Sequence, residues 1–81
     1  MRGDLQPQTL AEAHEMLTHV RPPHDAAPSV WVAFHRRAAQ VYAHAAKVDI
    51  GHRHEANHWA GSEIRHAREI EHRLNPEGDE S

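Results

Sequence analysis

Residues 29–52 read SVWVAFHRRAAQVYAHAAKVDIGH, and the fold turns on them. From Val30 onward Trp31, Phe34, Ala38, Val41, Ala45 and Val48 recur at alternating spacings of three and four. That period puts them on one stripe of an α-helix. Ser29, after Pro28, reads as its N-cap, with a hydroxyl able to accept from a free first-turn amide. At ~100° per residue, Arg36, Arg37, Gln40, His44 and Lys47 gather on the opposite face, while His35, Tyr42 and Asp49 fall within or beside the apolar stripe. Polar groups in that position are the unusual feature of the helix.

The stretch closes on Asp49-Ile50-Gly51-His52. A glycine suits a left-handed helix end and an aspartate suits capping whatever follows, so these residues read as a hairpin turn. An unbroken helix is the alternative, because one internal glycine costs only ~1 kcal/mol. Beyond the turn Ala56, Trp59, Ala60, Ala67, Ile70 and Leu74 share one face, with Glu63 in the middle of it. On the N-terminal side, Thr9-Leu10-Ala11-Glu12 has the form of a capping box. It opens a helix with Leu10, Ala13, Leu17 and Val20 on one face, and Arg21-Pro22-Pro23 ends that helix because proline rejects a preceding helical residue. The expected fold is all-α: a short N-terminal helix plus an antiparallel two-helix hairpin, with helices at about 10–20, 30–48 and 52–74. One domain spans 9–74, between a disordered N-terminus at 1–8 and a disordered acidic tail at 75–81.

With 81 residues, of which 38% are hydrophobic and thirteen are alanine, the core must be thin. Chains this small often gain burial from a second copy or a partner. A homodimer, closing the hairpins into a helical bundle, or a complex with another protein is therefore expected. The absence of cysteine excludes disulfides, thiolate metal sites and thioether-linked haem. No run approaches the ~18 apolar residues of a membrane span, and residues 1–8 carry no apolar signal segment. These features point to a cytoplasmic protein without a membrane partner. Eight arginines against one lysine suit a GC-rich genome. Residues 29–74 hold seven basic against five acidic side chains, without a basic run or a row of stacking aromatics, so nucleic acid is not an expected partner. Ten histidines would carry the formal charge from −3 to +7 on full protonation, around the ordinary histidine value of ~6.5.

His54-Glu55-Ala56-Asn57-His58 fits H-E-x-x-H, which sets two imidazoles one turn apart on zinc with a glutamate as base. Gly61 even falls where the extended pattern wants glycine, but the third-ligand position holds Ile64. With ten histidines and eight glutamates, chance alone produces the motif in about one such chain in nine. His54 and His58 also lie on the polar face, away from any shielded cleft. Folding the hairpin about residue 50 makes a second grouping, with Tyr42 opposite Trp59, His35 opposite His66, and Glu63 a turn nearer the loop. His35, Glu63 and His66 have the makings of a two-histidine, one-carboxylate metal site. The plainer reading pairs Glu63 with His35 or with the Tyr42 hydroxyl to fix the register of two alanine-rich helices. Asp49, His52 and Glu55 cluster at the turn, where Asp49 is expected to cap the third helix and Glu55 to favour its positive end.

Trp31-x-x-Phe34-His35, Ala38-Ala39-x-x-Tyr42, Asp49-x-Gly51-His52-x-His54-Glu55-Ala56 and Trp59-Ala60 together resemble a family of small uncharacterised actinobacterial proteins. The resemblance runs from Thr9 to about Ile70 and takes in Arg21-Pro22-Pro23. It implies a shared helical hairpin with a histidine-rich turn and implies no activity. Ala39-x-x-Tyr42-x-x-x-Ala46 is partly similar to a tetratricopeptide helix pair, but only one unit is present. The residues favour a non-catalytic interaction or regulatory module, with Trp31, Phe34, Tyr42 and Trp59 as its contact surface or, better, the core behind it, and with no cofactor. The alternative is a metal-binding helical protein or metal-dependent enzyme using His35, Glu63 and His66, or more weakly His54 and His58.

Overall fold

The computed structural model describes residues 7–75. It is all-α: α1 (Leu10–Val20), α2 (Pro28–Val48) and α3 (Arg53–Leu74), with a single 3₁₀ turn at Ile50–His52 between the last two and no strand among the described residues. The helices α2 and α3 form the antiparallel hairpin, and α1 lies against it. Pro7 is buried and the Gln8 amide donates to Glu12 Oε1 at 2.7 Å, so these two residues belong to the folded part rather than to a disordered N-terminus. Asn75, at the start of the expected acidic tail, is also described, with its amide donating to the Glu71 carbonyl at 2.9 Å, and the rest of the expected disordered ends, 1–6 and 76–81, falls outside the described residues.

The helix α1 starts where its capping residues place it, with Thr9 Oγ1 accepting from the Glu12 amide at 3.0 Å. Leu10, Ala13 and Leu17 are buried. Val20, the fourth member of that sequence stripe, is 56% exposed, because the chain turns away at Arg21 before α2 can cover it. Ser29 is not an N-cap. The helix α2 begins two residues earlier than expected, at Pro28, with Ala27 as the flanking residue and no side-chain cap. Proline at the first helical position explains the shift, since its φ is already helical and its missing N–H has no partner to lose there.

The hairpin turn exists, but by a different mechanism from the one expected. No described glycine has positive φ, so Gly51 provides no left-handed helix end. Instead the Asp49 amide closes α2 on the Ala45 carbonyl at 2.8 Å, and the His52 amide bonds the Asp49 carbonyl at 2.9 Å, giving a tight 3₁₀ turn that leads directly into α3.

Small side chains make the seam. Ala38 and Ala45 on α2 and Ala56 and Ala67 on α3 have no accessible surface. Helix spacing is set by side-chain size at the contact, so alanine permits a close approach. Phe34, Val41 and Tyr42 supply most of the bulk, joined by Leu10 and Leu17 from α1, and Trp31, Trp59 and Met16 pack partly buried at the edge. Among the described residues no large side chain is wholly enclosed. Among the described residues six large apolar side chains remain exposed: Val20, Val30, Val48, Ile50, Ile64 and Leu74. Val48 and Leu74 belong to the sequence stripes but lie at helix ends, where the opposite helix no longer covers them.

Candidate functional site

The polar seam begins at the turn. Asp49 is half-buried, and its Oδ2 accepts from the Leu10 amide at 2.9 Å. His52 Nδ1 lies 2.9 Å from the same oxygen. Asp49 therefore caps α1, thirty-nine residues away, and not α3, whose start has no side-chain cap. The free amides of a helix N-terminus attract a carboxylate wherever it comes from. The tertiary fold delivers those of α1. The Leu10 amide, followed by the hydrogen bond and charge of His52, holds the Asp49 carboxyl below the usual aspartate value despite some opposing desolvation. His52 and Glu55 are exposed, with Glu55 in the first turn of α3.

One level further along the hairpin, Tyr42 and Trp59 stack with ring centroids 6.1 Å apart, as the fold about residue 50 requires. The Tyr42 hydroxyl bonds His14 Nδ1 at 2.8 Å, and not Glu63. The His14 ring stands edge-on to Tyr42 at 5.2 Å and to Trp59 at 5.3 Å, tying α1 to both long helices. Burial raises the Tyr42 phenol above its ordinary value, the nearby Glu63 charge adds to the rise, and Arg21 opposes it. His14 is the residue that sequence reading misses. Its signal was available: it stands four residues after Leu10 and three before Leu17, on the buried side of α1.

Toward the open end, His35 Nδ1 and Glu63 Oε1 approach to 2.6 Å. Both side chains are nearly enclosed, at 12% and 14% exposure. Of the two partners expected for Glu63, it takes His35. The His66 ring lies 5.2 Å from that of His35 and is exposed on its outer side. One ligating atom from each of His35, Glu63 and His66 falls within 4.8 Å of the other two. Glu63 and His66 are three apart on α3, a spacing that points both to the same side, and His35 faces them from α2. The His35 ring is itself flanked by Trp31 at 5.6 Å and Phe34 at 5.5 Å.

Arg21 lies over the Trp31 and Phe34 rings, 5.1 and 5.8 Å from their centroids, and anchors the linker by cation–π contact. Arg36 makes a two-pronged pair with Glu71, at 2.6 and 3.2 Å. His44, assigned by the helical wheel to the exposed face, is half-buried, with an Nε2 that is enclosed and unpartnered. The four aromatics divide into Phe34 and Tyr42, which are buried in the core, and Trp31 and Trp59, which are half-buried and pack against it from the edge. His54, Glu55 and His58 are exposed on α3. Among the described residues the only triple of potential ligands is His35, Glu63 and His66, and the H-E-x-x-H histidines lack a third partner.

No helix among the described residues is long and apolar enough to cross a membrane. Compared with models of protein families, with curated proteins and with solved structures, the chain matches none.

Proposed function

We propose that the protein is a non-catalytic interaction module that works as a homodimer, two hairpins associating into a helical bundle. One observation carries this reading: an open apolar groove of about 370 Å³ where the end of α1 meets the start of α2, lined by Met16, Val20, Val30, Ala33, Phe34 and Arg37. Val20 and Val30 on its rim are 56% and 47% exposed. A second copy is the occupant that this chain most needs. Among the described residues its core encloses no large side chain completely, and a two-fold interface lets each copy cover the same apolar patch on the other. The resemblance to small actinobacterial helical proteins belongs to the same proposal and adds no activity to it. So does the cytoplasmic setting, favoured by the lack of a membrane-spanning helix among the described residues.

Sedimentation equilibrium tests the reading. Wild-type protein is expected to be dimeric at micromolar concentration, and the double variant V20D/V30D to be a monomer of unchanged helix content, since both side chains already contact water. A compact wild-type monomer throughout the micromolar range overturns the proposal. Trp59→Ala is the wrong probe, because that ring packs on His14 and Tyr42 and its loss would weaken the fold itself.

A further inference from the structure

We propose that His35, Glu63 and His66 bind a single zinc ion, with water in the fourth tetrahedral position. The three potential ligand atoms already lie within 4.8 Å of one another. Tetrahedral zinc, with bonds of about 2.0–2.2 Å, wants its ligands roughly 3.4 Å apart. His35 and Glu63, at 2.6 Å, must part by less than about 1 Å. Zinc takes the place of the hydrogen shared between Nδ1 and Oε1, and the imidazole stays neutral by carrying its proton on Nε2. His66 is exposed at the mouth and already offers a ligand atom within 4.8 Å of one from each of His35 and Glu63.

Two imidazoles and one carboxylate, without a thiolate, form a nitrogen and oxygen ligand set that suits zinc, and three protein ligands leave one position open. The site also has features of a prepared one. His35 and Glu63 are nearly enclosed, so little water competes for them. Trp31 and Phe34 confine the His35 ring. The two helices that carry the ligands are locked by the alanine seam, with Ala38 and Ala67 wholly buried. A histidine and carboxylate whose purpose was only to fix register would not need a third ligand beside them.

With ten histidines in the chain, weak surface binding of zinc must be separated from binding at this site. Zinc titration by calorimetry on protein without a histidine tag is expected to give one equivalent bound at the site. His66→Asn and Glu63→Gln should each weaken it by about tenfold or more, which is the loss that follows removal of even an outer hydrogen-bond partner of a metal ligand. The double variant H54N/H58N should bind as wild type does. Cobalt(II) in place of zinc should show the intense visible absorption of a tetrahedral site, absent from H66N. His66 is exposed, so H66N keeps the fold even where E63Q does not. Wild type that takes up no zinc at micromolar concentration overturns the proposal, as does H66N binding with unchanged affinity, or loss of the bound equivalent in H54N/H58N. The V20D/V30D monomer should bind zinc normally, so the site and the dimer succeed or fail separately.

Discussion

Asp49 shows how much one carboxylate decides. Its oxygen joins the start of α1 to the hairpin turn, and the Leu10 amide and His52 favour its charged form. Because the folded value is lowered, the unfolded chain binds more protons in the acid range, and stability rises with pH there. The contribution is fully present above the ordinary aspartate value of ~3.9 and is lost as pH falls from there through the lower folded value. Asp49→Asn should flatten that part of the acid unfolding curve and fray α1, seen as faster exchange of the Leu10 amide. Tyr42 works in the opposite sense. Its raised phenol pKa means that the folded state keeps its proton longer, so stability is present below the ordinary value of ~10 and lost as pH rises through the folded one. Tyr42→Phe should cost about 1 kcal/mol near neutral pH through the lost His14 hydrogen bond, and should remove the alkaline loss. Chemical denaturation at several pH values checks both.

Among the elements, α2 was legible from alternation by three and four over more than four turns, and α3 from an apolar face interrupted at Glu63, whereas the break between them rested on the turn residues. Their contact was legible too: the wheel that set Tyr42 opposite Trp59 and His35 opposite His66 matches the ring pairs observed. Helix ends were harder. Ser29 and Pro28 are both sound start signals and only one can act, and the proline acts. Gly51 and Asp49 both looked like hairpin punctuation, yet the turn is made by backbone hydrogen bonds in a 3₁₀ geometry that needs no glycine. The seam itself makes a prediction. Ala45, with no accessible surface, faces a space sized for a methyl group, so Ala45→Leu should force the helices apart and cost about 1–3 kcal/mol in thermal or urea unfolding. The alanines are then a packing requirement and not merely a compositional bias.

In the whole molecule, α1 is what joins the turn, the aromatic stack and the apolar groove. It contributes His14 to the stack, its own N-terminus to Asp49 and Met16 and Val20 to the groove. Through the first two contacts, disturbing α1 should reach the loop half of the hairpin while leaving the His35 and Glu63 pair, on the other two helices, in place. The proposed dimer and the proposed zinc site meet at Phe34, which lines the groove and flanks His35, and otherwise draw on different parts of this body. The first uses apolar surface at the α1 and α2 edge, and the second uses polar atoms between α2 and α3.

The amino-acid sequence by itself determined the helices, the hairpin and the polar seam, since each follows from spacing within one or two neighbouring segments. It also showed that His54 and His58 of the H-E-x-x-H match lie on a solvent face, where the structure has them exposed. Only the tertiary structure decided the partners. Asp49 could cap the helix after it by sequence, but α1 folds back and presents its free Leu10 amide to the carboxylate. Tyr42 could reach Glu63 on the wheel, but His14 arrives from a third helix and takes the hydroxyl, leaving Glu63 to His35. Local periodicity fixes which face a residue occupies. Which of several polar groups on that face meet depends on where a helix distant in sequence comes to rest.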